Sequence, residues 1–117
     1  MTKDTPRNWV FFVFPKMIYN ISMNEKIDAT KVKEEVKAGK AYLLDVRSKE
    51  EFTQFSLPDS INLSVEDIQY GKVPEIPRDS KVYVYCMSGA RAEKAVSLLQ
   101  MMGFNNAVNV GGIMSLI

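Results

Sequence analysis

At 117 residues the chain holds one domain's worth of sequence, enough for a hydrophobic core but not for two. Hydrophobic content of 46% and charged content of 25% are those of a soluble globular protein, and 15 basic against 14 acidic side chains leave a formal charge of +1, with no footprint for nucleic acid or an anionic membrane. One cysteine and no histidine exclude an intrachain disulfide framework and count against a protein-bound metal, while a free thiol suits a reducing compartment and so the cytoplasm.

Residues 1–25 read as an N-terminal extension of unclear structure, with room for one added β-strand, and residues 26–117 as the domain. The apolar run Trp9-Val10-Phe11-Phe12-Val13-Phe14 ends at Pro15. It is too short for a membrane span of about 20 residues and for a signal-peptide core of about 7 to 15. Asp28 can cap a helix through Val32 and Val36 that Gly39 ends. Tyr42-Leu43-Leu44-Asp45-Val46 is a nearly continuous apolar strand of the kind buried in a parallel sheet. Asp45, near its carboxyl end, is a carboxylate in apolar company and needs partners. We read it as a structural orienter of neighbouring loops. Arg47 leaves the same strand end, as either a surface residue or a second cation facing a bound anion.

Ser48-Lys49-Glu50-Glu51 fits a capping box for a short helix carrying Phe52 and Phe55, which Pro58 ends. Ile61-Asn62-Leu63 is a short strand, Ser64 caps a brief helix with Val65 and Ile68, and residues 71–77 form a loop with two prolines. Val82 to Tyr85 reads as a buried strand, Ala92 to Met102 as an amphipathic helix that Gly103 terminates, and Ala107-Val108-Asn109-Val110 as the last strand. Strands alternating with helices predict an open, mainly parallel α/β sheet of about five strands, with helices on both faces.

Cys86 lies at the join of the penultimate strand and its helix. A loop leading from a strand into a helix aims unpaired backbone N–H groups at one point, and the helix dipole adds positive potential there. A thiol in that field, with Arg91 completing the loop, should lose its proton more easily than a free cysteine. Cys86 therefore reads as a thiolate nucleophile in place of an inert buried side chain. Met87, Ser88, Gly89, Ala90 and Arg91 form the candidate anion cradle, in which Ser88 either adds a hydroxyl or serves the turn. Met87 and Ile113 would make the rim apolar.

Cys86-Met87-Ser88-Gly89-Ala90-Arg91 resembles the Cys-x-x-Gly-x-Arg loop of rhodanese-like sulfurtransferases. Asp45-Val46-Arg47 followed by Glu51-Phe52, then Leu57-Pro58-Asp59-Ser60-Ile61-Asn62-Leu63, then Val110-Gly111-Gly112 are similar to further marks of that family in the same order. The resemblance covers roughly residues 26–117. Phe55-Ser56 stand where the family usually has Gly-His, and Leu116 replaces a common Trp. With no histidine a Cys–His pair is excluded, so activation must come from backbone dipoles and nearby cations.

The resemblance implies a thiosulfate sulfurtransferase that needs no cofactor or metal. A small sulfur-containing anion would donate sulfane sulfur to Cys86 as a persulfide, and a thiol, cyanide or protein cysteine would accept it. Two alternatives stay open. A cysteine phosphatase or arsenate reductase also uses a Cys-to-Arg loop, but with five intervening residues where this chain has four, Met87 to Ala90. A non-catalytic rhodanese-like binding or regulatory module would use the fold without turnover.

Overall fold

A computed structural model describes residues 28–117. The apolar run at residues 9–14, and the added strand expected there, lie outside the described residues.

Elements alternate along the chain as α1 (Ala29–Lys37), β1 (Tyr42–Asp45), α2 (Lys49–Gln54), β2 (Ser60–Asn62), α3 (Val65–Gln69), β3 (Val82–Cys86), α4 (Ala90–Met101) and β4 (Ala107–Gly112), closing with a 3-10 turn at Ile113–Leu116. The described strands form one parallel sheet in the order β2-β1-β3-β4. The parallel α/β architecture read from the sequence is therefore present, with four strands among the described residues.

Local chemistry sets the element ends. Asp28 caps α1 by accepting from the Lys31 N–H at 3.2 Å, and Ser64 caps α3 by accepting from Asp67 N–H at 3.1 Å. Ser48 and Glu51 complete a reciprocal capping box at the start of α2. That helix stops at Gln54, one residue before the Phe55 expected to lie in it. Phe55 is extended, with φ −166° and ψ 132°, and its carbonyl accepts from the Arg47 guanidinium. A tertiary contact ends the helix before Pro58 does.

Two apolar layers sandwich the sheet. On one face Leu44, Val46, Val82, Val84 and Cys86 pack with Ile68 of α3 and Ala92, Ala95 and Leu99 of α4. On the other, Leu43, Tyr83, Tyr85 and Val110 pack with Val32 of α1 and with Ile113 and Leu116 of the final turn. Ile113 is thus core at 2% exposure and not rim, whereas Met87 is 47% exposed. The alternation sends successive strand residues to opposite faces, which is why β3, buried throughout, shows no polar position. No helix among the described residues is long and apolar enough to cross a membrane.

The strand order positions the site. From β1 the chain goes outward to β2, and from β3 it goes the opposite way to β4. Connections that diverge from two neighbouring strands open a crevice at their carboxyl ends. Asp45 ends β1 and Cys86 ends β3, so both border that crevice.

Candidate active site

Between the end of β3 at Cys86 and the first residue of α4 at Ala90, only Met87, Ser88 and Gly89 make the turn. Gly89 allows this by adopting the left-handed region, φ 100°, which an L side chain would resist. The Cys86 side chain is fully buried, and its Sγ accepts from the Gly89 N–H at 2.9 Å and the Ala92 N–H at 3.3 Å. Both donors aim the positive partial charge of their N–H hydrogens at the sulfur. No side chain caps α4. Among the described residues the backbone N–H groups of Met87, Ser88, Ala90 and Arg91 donate to no protein group. Those of Ala90 and Arg91 are orphan first-turn amides, which are ready anion donors, and those of Met87 and Ser88 belong to the loop just before them. The exposed Ser88 makes no side-chain hydrogen bond within the described residues.

β4 forms the wall behind the loop. A Cβ on Gly112 would lie 2.4 Å from the Met87 carbonyl oxygen, closer than any real contact, so only glycine lets the strand approach there.

The two arginines differ in what surrounds them. Arg91, at the end of the loop, is clasped by Glu51 of α2, Nη1 to Oε1 at 2.7 Å and Nη2 to Oε2 at 3.2 Å. The guanidinium, followed by the Ser48 amide, holds the Glu51 carboxyl down to about 2. The same pairing raises Arg91. Arg47 is buried at 2% exposure and turned onto Asp45. Nε lies 3.1 Å from both carboxylate oxygens and Nη2 2.8 Å from Oδ2. Asp45 also accepts from the Arg47 backbone N–H at 2.8 Å, so the carboxylate ties down the strand end. Asn62 reinforces it, donating from Nδ2 to the Asp45 and Arg47 carbonyls at 3.0 Å each. The Tyr85 ring lies beneath the Arg47 guanidinium, 5.9 Å from its centroid. Of the Arg47 guanidinium nitrogens, only Nη1 is without a partner among the described residues.

The structure puts Cys86 and its loop at the carboxyl edge of the sheet, and Arg47, read as either a surface residue or a second cation facing an anion, is off the surface, buried against Asp45. Sequence reasoning missed Glu51, whose capping box was legible but whose second role as the partner of Arg91 had no local signal. Asn109, read only as a strand residue, donates from Nδ2 to the Gly89 carbonyl of the loop at 3.1 Å.

Fold and site together define a parallel α/β domain that buries one thiol under an amide-lined loop at its carboxyl edge. The chain belongs to the rhodanese-like domain family, whose model matches residues 28–116. Over 98 residues it is 36% identical to the adenylyltransferase and sulfurtransferase uba4 of Ogataea parapolymorpha, covering 83% of this chain and 24% of that protein. It therefore spans about a quarter of that relative's length. A sulfurtransferase of Allochromatium vinosum is 36% identical over 74 residues, 62% of this chain and 68% of its own. Among solved structures, a rhodanese-related protein of Thermoplasma volcanium is 34% identical with a TM-score of 0.65, covering 78% of this chain and 88% of the other. The human single-domain sulfurtransferase TSTD1, at 22% identity and a TM-score of 0.66 over 74% of this chain and 88% of its own, shares the fold.

Proposed function

We propose that the domain transfers sulfane sulfur from thiosulfate or a similar small anion to a thiophilic acceptor, through a persulfide on Cys86. The observation that carries this is the Cys86 sulfur held by two amides, at 2.9 and 3.3 Å, within a loop that offers further unpartnered N–H donors. The Cys86 thiolate attacks the outer sulfur of thiosulfate and a new S–S bond forms. The bond to the sulfonate sulfur breaks, and its electron pair leaves on sulfite. An acceptor thiolate, protein cysteine or cyanide then attacks the outer sulfur and expels the Cys86 thiolate. No cofactor or metal enters either step.

Met87, Ser88, Gly89, Ala90 and Arg91 are the substrate-binding residues in this reading. Their amides meet charge that develops on sulfur and oxygen, in a site already organised before reaction. Arg91 contributes a cation moored by Glu51 and so held in one orientation. Arg47 is the weaker contributor, because it is buried at 2% exposure against Asp45, whereas the Arg91 side chain keeps 39% exposure beside the loop. Asp45 holds the strand end and takes no part in bond making. We place the protein in the cytoplasm, where a free thiol persists, and take residues 26–117 as the working unit. Deleting residues 1–22 should then leave a cooperatively unfolding, active domain; loss of either property moves that boundary.

Intact mass spectrometry of the reduced protein after thiosulfate tests the assignment. One added sulfur is expected, lost on cyanide as thiocyanate and absent in Cys86→Ser. Because Cys86 is the sole thiol, no intrachain disulfide can collapse the persulfide. No sulfur uptake from thiosulfate, polysulfide or a persulfidated donor would leave the domain a binding module.

A further inference from the structure

β4 does not run in simple register beside the cysteine loop. Val84 pairs with Asn109 and Tyr85 with Gly111, so Val110 is an extra residue and the strand bulges there. The bulge leaves Asn109 on the α4 side with both ends of its amide engaged. Nδ2 donates to the Gly89 carbonyl at 3.1 Å, and Oδ1 accepts from the Gly111 N–H at 2.8 Å. The strand continues under the loop: a Cβ on Gly89 would sit 3.4 Å from the Gly111 Cα, and one on Gly112 would strike the Met87 carbonyl.

The Gly89 carbonyl belongs to the same planar unit as the Ala90 N–H, and in a trans peptide the two point in opposite directions. The helix already engages that carbonyl through the Glu93 N–H at 3.0 Å. Asn109 adds a second donor from outside the helix, and two donors from different directions restrict rotation of the plane more than one does. The Ala90 N–H, without a protein partner among the described residues, is thereby aimed away from the helix body at the first turn.

We infer that Asn109 is a positioning residue for sulfur transfer: its amide clamps the Gly89–Ala90 peptide to the β4 bulge, so that the Ala90 N–H meets the donor anion already oriented. This rests on the sulfurtransferase reading of the site. The benefit is preorganisation, since an amide free to rotate must be ordered as the anion arrives.

The test compares the full-length protein with Asn109→Ala, which removes both bonds, and Asn109→Asp, which keeps the acceptor for Gly111 but cannot donate to Gly89. Two readouts are used: single-turnover persulfidation by thiosulfate, and the response of the Ala90 amide ¹⁵N–¹H resonance to sulfate, an unreactive anion. Asn109→Ala should slow persulfidation by about tenfold, less than the outright loss of an oxyanion donor costs, because the Ala90 N–H remains and only its orientation is loosened. It should also weaken the sulfate response of Ala90. Asn109→Asp, whose second carboxylate oxygen would face the Gly89 carbonyl, should be at least as slow as Asn109→Ala. Wild-type rate and an unchanged Ala90 response in Asn109→Ala, or a wild-type rate in Asn109→Asp, would overturn the inference while leaving the sulfurtransferase reading intact. If the wild-type protein takes up no sulfur but its Ala90 responds to sulfate and Asn109→Ala abolishes that response, the positioning role stands and the reaction assignment fails.

Discussion

Arg91, which closes the cysteine loop, is held at two points by Glu51, a residue 40 positions upstream at the start of α2, with N–O distances of 2.7 and 3.2 Å. The clasp joins two helices that both begin at the carboxyl edge of the sheet, and it gives the loop's cation a fixed direction. A lysine cannot reproduce two parallel bonds from one planar group. Arg91→Ala should therefore slow the thiosulfate half-reaction by roughly 10- to 1000-fold, with Arg91→Lys recovering only part of the loss. Glu51→Gln should cost less, since the cation remains but loses its mooring. If the two residues act as one unit, the double variant Glu51→Gln/Arg91→Ala will be no slower than Arg91→Ala alone, as read from kcat/KM for thiosulfate. Strict additivity would show that Glu51 acts elsewhere.

The same pair predicts an acid-sensitive increment of stability. Glu51 has its carboxyl lowered from 4.5 to about 2, chiefly by Arg91. Between those values the unfolded chain binds the proton that the folded chain refuses, so stability rises with pH across the window. The contribution is complete above the unfolded value and is lost as pH falls toward about 2. Side chains exposed by 39% and 32% place it with surface pairs, about 1 kcal/mol or less and reduced by salt. Denaturation midpoints of wild type and Glu51→Gln should thus differ near neutrality and converge in acid. A constant gap down to pH about 2 would remove the ion pair as its cause.

Gly112 has no room for a side chain. Its missing Cβ would lie 2.4 Å from the Met87 carbonyl oxygen and 3.3 Å from the Ser88 Cα, both backbone atoms that cannot swing aside. Gly112→Ala should destabilise by about 1–3 kcal/mol, as overpacking does, and displace the amides around Cys86. Urea unfolding with a persulfidation assay at saturating thiosulfate checks both effects. Wild-type stability would mean that the loop yields without strain.

Asp45 and Arg47 form a nearly dry pair, with side-chain exposures of 0% and 3% and a 2.8 Å contact. Removing the acid leaves a guanidinium buried beside Tyr85 with its main partner gone, a loss of about 3–5 kcal/mol. Asp45→Ala should therefore damage folding. Arg47→Met should also weaken folding, because it leaves the fully buried Asp45 carboxylate with only the residue-47 backbone N–H as its partner among the described residues. Kinetics of Arg47→Met, once its folding is verified, test its share in binding. Only a modest effect, seen at low thiosulfate, is expected, and an effect as large as that of Arg91→Ala would make Arg47 a principal ligand.

Much of this protein was legible in its sequence because the information involved is local. The caps at Asp28, Ser48 and Ser64 act over three residues, the apolar runs of β1 and β3 report burial directly, and Cys86 declares its place by standing between a strand pattern and a helix pattern. What the tertiary structure alone decided is which distant groups meet. With 14 acidic side chains in the chain, nothing near Arg91 says that it meets Glu51, 40 residues upstream. That pairing follows from where the loops after β1 and β3 emerge at the diverging edge of the sheet. The bulge that brings Asn109 to Gly89 was equally hidden. Register between β3 and β4 is set by packing on both faces of the sheet, with Val110 on one and Ala107 on the other, and not by the strand's own composition.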